Sequence, residues 1–339
     1  MAEKTDRRGF LNKAVLGAAG IGAGLGLEEK ILLAAVQEGA GQPIKPKPEI
    51  PTGSMPCGKI GKVKVSRLLI GGNLIGGWAH SRDLIYTSQL FKAYNTEQKV
   101  FETLELAEAC GINTIQIDPR AWDPILKYNK ERGGKMQTLA CYPVEDDKVQ
   151  MADTIKRLVD QGATMLYPHG MMADEHVMGG KLDVLGRAID LAKAQGVPSG
   201  MGSHSLEVPM ACEKNKLNPD FYVKTFHMDR YWSATLPAKR EEWCWYKGQS
   251  AEPGTYHDNM WCLDAEKTAA FMESIDKPWI AFKVMAAGAL QPQVAFPHAY
   301  RHGADFIIAG MFDFQVEHDA KIAISALAKL HTRPRPWRA

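Results

Sequence analysis

The sequence predicts a single closed (β/α)₈ TIM barrel, and three observations carry that prediction. From about residue 65 onward, eight short β-branched, apolar runs alternate with helical stretches. Glycines stand between a helical stretch and the next run at Gly111, Gly162, Gly196 and Gly303, where a left-handed helix terminus belongs. The first strand-to-helix turn, Gly71-Gly72-Asn73-Leu74-Ile75-Gly76, lacks the G-x-G-x-x-G order that a doubly wound dinucleotide sheet carries there. Eight such units over roughly 265 residues have the length of one barrel.

Composition agrees with a large globular domain. The chain has 339 residues, of which 45% are hydrophobic and 24% charged, which excludes a disordered chain, a coiled coil and a polytopic membrane protein. The formal charge of +2 leaves no basic excess to recruit nucleic acid.

The strands are expected at 67–71, 113–117, 136–141, 164–168, 198–203, 221–226, 279–285 and 305–310. Helices are expected at 96–110, 149–160, 182–194 and 265–274. In the first of these Val100, Leu104 and Ala107 recur at helical spacing. The barrel is assigned to residues 60–330, with 331–339 as a C-terminal tail.

The N-terminal segment carries an address. Arg7-Arg8-Gly9-Phe10-Leu11 precedes an uncharged, glycine-rich apolar stretch, so residues 1–35 resemble a twin-arginine signal. The expected partner is the twin-arginine export machinery, and the expected destination is periplasmic or extracellular. Contact with a membrane is expected only through an uncleaved signal. Residues 36–59, rich in proline, read as a linker. An oxidising destination permits disulfides. The six cysteines nevertheless show no C-x-x-C spacing, so buried free thiols are expected, with a Cys244–Cys262 bridge as the alternative.

Barrel chemistry sits at the C-terminal ends of the strands. In this chain those ends bring Asn73, Asp118, Cys141, His169, His204, Glu207, His227, Asp229 and Lys283 to one rim. Imidazole and carboxylate donors suit Zn²⁺, Mn²⁺ or Fe²⁺, so His204, Glu207 and His227 form the predicted metal set. Glu207 doubles as a base beside the metal. Lys283 lies in an otherwise apolar run, Trp279-Ile280-Ala281-Phe282-Lys283, where an ammonium is costly unless it meets a partner or substrate. Lys283, Glu207 and His169 are the predicted catalytic groups. Lys224 raises the same question, but strand alternation sends it to the opposite face from His227. Residues 228–262 form a long aromatic loop. Its Tyr231 and Trp232, with Asn73 and Arg82 of the first loop, are the predicted contacts to a small-molecule or oligosaccharide substrate.

Several segments resemble the aldo-keto reductase superfamily. They are Gly61-Lys62-Val63-Lys64-Val65-Ser66-Arg67-Leu68, Ala109-Cys110-Gly111-Ile112-Asn113-Thr114-Ile115-Gln116, the run 163–169, and Gly200-Met201-Gly202-Ser203-His204. The resemblance implies a barrel, with His169 in the place of that family's catalytic histidine. The family's Asp, Tyr and Lys fall on Gln116, on Ala121 and near Cys141. The leading reading is therefore a metal-dependent enzyme acting on a carbohydrate or polyol by isomerase, epimerase, lyase or hydrolase chemistry. The alternatives are an oxidoreductase holding NAD(P) tightly and a non-catalytic glycan-binding barrel.

Overall fold

The computed structural model describes residues 55–80, 84–243 and 259–339. Arg82, the signal region and most of the proposed linker lie outside the described residues. The chain opens with an antiparallel hairpin, β1 (Cys57–Ile60) and β2 (Val63–Ser66), turned at Gly61 with φ 56°. The sequence reading placed β1 in the linker, because a four-residue strand flanked by lysines carries little apolar signal.

Eight parallel strands follow: β3 (Leu68–Gly71), β4 (Thr114–Ile117), β5 (Gln137–Tyr142), β6 (Met165–Pro168), β7 (Gly200–Ser203), β8 (Phe221–Thr225), β9 (Trp279–Phe282) and β10 (Phe306–Ala309). Their order is β6-β5-β4-β3-β10-β9-β8-β7, and a parallel bridge between Leu166 and Ser199 joins the two ends. All eight predicted strands are present. The seventh is shorter than expected and stops at Phe282, ahead of Lys283.

The connecting helices include α1 (Asn73–Gly76), α2 (Thr87–Tyr94), α3 (Glu97–Ala109), α4 (Asp123–Glu131), α5 (Lys148–Asp160), α6 (Gly170–Met178), α7 (Leu182–Ala194), α8 (Glu207–Lys214), α9 (Ala265–Glu273), α10 (Pro292–Arg301) and α11 (Asp313–Ala328). Side-chain caps begin several of them, as where Thr96 accepts from Lys99 N and Asp147 from Val149 N and Gln150 N. Among the described residues no helix is long and apolar enough to cross a membrane.

Strand alternation divides the core into two shells. Leu68, Ile70, Ile115, Ala140, Leu166, Met201 and Tyr222 face the helices. Leu69, Leu139, Met165, Tyr167, Phe221, Val223, Ile280, Phe306 and Ile308 fill the barrel, joined from below by Ile60 and Val65 of the hairpin. Rings inside the barrel need room opposite. Gly202 supplies it, since a Cβ there would stand 2.6 Å from the Pro168 carbonyl oxygen and the Tyr167 ring. The C-terminal segment is not a detached tail. Arg335 is fully buried, and its guanidinium pairs with Asp305 at 2.5 Å. Cys262 is a buried free thiol, and Cys244 lies outside the described residues.

Candidate active site

The C-terminal mouth is built around His204, the next inward position after Gly202. Its Nδ1 lies 2.8 Å from Asp174 Oδ2, and its backbone N–H and that of Ser205 both donate to the same carboxylate. Asp174 comes from α6, which starts directly after His169. Gly170 lets the helix pass close under the imidazole, because a Cβ there would lie 3.2 Å from His204 Cε1. Burial holds the His204 pKa well below the usual imidazole value, and the nearby cationic groups of Lys283, His169, His80 and Lys224 lower it further. Burial also raises the Asp174 pKa, against the backbone hydrogen bonds from Ser205 and His204. The ring is therefore neutral at pH 7. In the tautomer with Nδ1–H toward Asp174, the lone pair lies on Nε2.

Across the mouth, Lys283 sits just past β9 with φ 56°, and Ala286 and Ala287 are also left-handed at 46° and 56°. Each such residue costs on the order of 1 kcal/mol. Here that strain turns the lysine back over the barrel. Its Nζ contacts His80 Nε2 and lies 4.3 Å from the centroid of the Trp261 ring. Asn73 Nδ2 is 3.2 Å from the same His80 nitrogen. Trp261 also flanks His204, at 4.6 Å between centroids, with Phe282 at 5.4 Å. A cleft of about 380 Å³ opens beside Lys283, lined by Asn73, Trp78, His80, Gln116, Phe282 and Gln291 among others.

A third group lies on the neighbouring strands. Donor atoms of Asp118, Cys141 and His169 all fall within 4.8 Å of one another. Burial lowers the His169 pKa, with Asp118 acting against it. Burial would raise that of Asp118, but the side-chain and backbone hydrogen bonds from Arg120 outweigh it, and the net shift is downward. Burial and the charge of Asp118 raise the Cys141 thiol strongly.

The predicted set of His204, Glu207 and His227 does not come together as ligands. His227 is held on both nitrogens: Nδ1 lies 2.7 Å from the Met228 carbonyl, and Nε2 accepts from Trp261 N and Cys262 N, each at 3.0 Å. It pins the loop that carries Trp261. Glu207 opens α8, where a carboxylate favours the helix N-terminus, and the carboxylate beside His204 is that of Asp174 instead. Tyr231 also serves the loop, donating its hydroxyl to Asn259 O, while Trp232 is 89% exposed. Lys283 and Asn73 share the cleft with His80, whereas His204 lines a separate small cavity with Ser205 and Lys224, and the Trp261 ring flanks both His204 and Lys283. Sequence reasoning missed Asp174. Its one signal was an acid within the apolar run Gly170-Met171-Met172-Ala173-Asp174.

No protein-family model matches the chain, and no curated protein matches it. Solved structures do. A candidate aldo-keto reductase from Pseudomonas aeruginosa aligns with a TM-score of 0.57 at 14% identity, covering 82% of this chain and 97% of that one. A second structure so described, from the same organism, gives 0.56 at 13% identity over 83% and 99%. The chain shares their fold. At that identity the likeness extends to the barrel and not to its chemistry.

Proposed function

We propose that this barrel is an enzyme that moves protons at a carbonyl or hydroxyl carbon of a small polyol or sugar-like substrate. One observation carries the reading: the His204 imidazole, fixed by the buried Asp174, flanks the same Trp261 ring over which Lys283 lies, and Lys283 Nζ meets His80. His204 Nε2 is then the base, and Asp174 stabilises the imidazolium that forms. The Lys283 ammonium stabilises the oxyanion that develops on the neighbouring oxygen. Trp261 and Phe282 offer apolar faces to a sugar ring, and Asn73 offers it a polar contact. The reaction class that fits is isomerisation, epimerisation or elimination.

The test is proton exchange. The full chain is incubated in D₂O with a panel of aldoses, ketoses and sugar acids, and deuterium entry beside the carbonyl is followed by NMR. Exchange by the wild type and none by His204→Gln supports the proposal. Equal exchange by both proteins, or none on any substrate, ends it.

The fold neighbours favour hydride transfer with tightly held NAD(P) as a second reading. Its fit to these residues is poorer. The resemblance puts the proton-donating tyrosine at Ala121, and the nearby phenol of Tyr167 is buried within the barrel. A nicotinamide absorbance band in the purified protein would favour this reading over the first. We also propose export through the twin-arginine route on the strength of Arg7 and Arg8. A reporter fused to residues 1–40 should be exported, and Arg7→Lys with Arg8→Lys should stop it.

A further inference from the structure

We infer that Asp118, Cys141 and His169 form a binding site for a thiophilic divalent metal of the zinc class, with one coordination position open to the mouth. The inference deepens the acid–base reading, but it stands on different residues. Three adjacent strands, β4, β5 and β6, each deliver one donor from or just beyond the C-terminal end. Cys141 points into the barrel and is buried, so its sulfur cannot serve an outer surface.

Among the described residues, no hydrogen bond forms to the His169 ring, although the ring is half-buried and lies beside a thiol and a carboxylate. A histidine placed only for packing normally gives one nitrogen to a neighbour, as His227 does with both. A thiol, an imidazole and a carboxylate are a mixed S, N, O set. That set selects zinc, cobalt or iron(II) over magnesium or calcium, which want oxygen alone. Three protein donors with a free fourth position is the arrangement of a reactive rather than a structural zinc.

Tetrahedral coordination brings donors to about 3.5 Å of one another, so from separations within 4.8 Å the group closes by little more than an ångström at most. Asp118 supplies the movement. Both its oxygens now face the Arg120 guanidinium, at 2.8 and 2.9 Å, and Oδ1 also accepts from Arg120 N at 2.9 Å; the guanidinium is 72% exposed and can turn into solvent, which frees Oδ2 for a dication. Metal binding deprotonates the thiol, and the proton is released to solvent. A metal here would bind a substrate hydroxyl or carbonyl oxygen on one side while Lys283 and His204 meet the substrate from the other. The substrate class it selects is a hydroxy-carbonyl or vicinal diol.

The probe is cobalt(II), titrated into the chelator-treated full-length protein and read by absorbance and calorimetry, with no turnover involved. One cobalt per chain and a cysteinate-to-cobalt charge-transfer band are expected. Cys141→Ser should abolish the band, and His169→Ala should weaken binding by roughly tenfold or more. His204→Gln should leave the affinity unchanged. If Cys141→Ser does not fold, His169→Ala and Asp118→Asn carry the test. No bound cobalt, a band that survives Cys141→Ser, or equal losses in His204→Gln and His169→Ala would overturn the site. Because binding is measured without substrate, loss of the metal site and loss of the acid–base reading are separate results.

Discussion

Two aspartates are fully buried at opposite ends of this barrel, and their partners differ. Asp305, at the N-terminal end, accepts from Trp279 N and Arg338 N at 2.9 Å each and pairs with Arg335 at 2.5 Å, with Arg333 further out at 3.8 Å. Asp174, at the C-terminal end, has an imidazole and two backbone amides and no guanidinium. A guanidinium stays charged at every working pH, whereas an imidazole does not. The lower pair is therefore a fixed electrostatic clasp that fastens the C-terminal segment under the barrel. The upper pair can take up a proton and give it back. Buried charge is structural where its partner cannot titrate and serves chemistry where it can.

The largest effect expected from this contrast is on activity at the upper pair. His204→Gln removes the base and keeps most of the volume. Proton exchange should fall by roughly 10²- to 10⁴-fold, with little change in the thermal midpoint. The rate of the wild type should fall only below pH 6.5, because the His204 pKa lies under the usual value. A rate that halves nearer pH 7.5 would assign the base elsewhere.

At the lower pair the matched experiment is Asp305→Asn. It leaves the Arg335 guanidinium buried without its counter-charge, a loss of about 3–5 kcal/mol. Urea unfolding would register it as a lower midpoint with an unchanged slope. A midpoint equal to that of the wild type would mean that the segment is held by Trp337 packing between Arg67 and Arg333 instead.

His227 lies between these extremes, since it is a titratable group used for structure. Burial lowers its pKa to about 4. The unfolded chain binds the proton near pH 6.5, so between these values the unfolded state carries more protons. Stability is complete above pH 6.5 and declines as pH falls, by on the order of 3 kcal/mol at pH 4. Stability measured across that window should lose this slope in His227→Gln. The variant should also be less stable at pH 7, because Trp261 N and Cys262 N lose their acceptor.

Legibility in the sequence follows the same divide. The barrel was legible because strand and helix periods and the glycine punctuation are local signals. Lys283 was legible because an ammonium beside Trp279-Ile280-Ala281-Phe282 contradicts its surroundings. The left-handed turn that aims it was not, since neither Lys283 nor Ala286 favours positive φ. His204 was legible as a strand-end residue, but its partner was not. Glu207 is three residues away in the chain, and Asp174 is thirty away. Proximity in sequence favoured the wrong carboxylate, and only the packing of α6 against β7 decides between them. His227 resembled a ligand for want of any sequence sign that two backbone amides would claim its nitrogen. Cys141 and Asp118 stood at the rim in sequence, yet nothing local indicated that their donors would converge on His169.

The smallest effect expected is the most discriminating, and it comes from the same Asp→Asn change at the upper site. Asp174→Asn keeps an acceptor for the amides of His204 and Ser205. It also removes a buried carboxylate whose charge is already opposed by desolvation. Stability should therefore change by no more than about 1 kcal/mol, in contrast to the cost at Asp305. The effect on catalysis comes through His204. An amide can still orient the ring, but it does not stabilise the imidazolium, and its NH₂ can force the wrong tautomer. The exchange rate should fall by roughly 10- to 100-fold through kcat, with KM nearly unchanged, because Asp174 does not face the substrate. The acid limb of the rate should also move to lower pH, since the neutral amide no longer favours a protonated ring. A variant that loses stability and activity together, with no shift of that limb, would make Asp174 a structural residue like Asp305, and the contrast between the two ends of the barrel would fail.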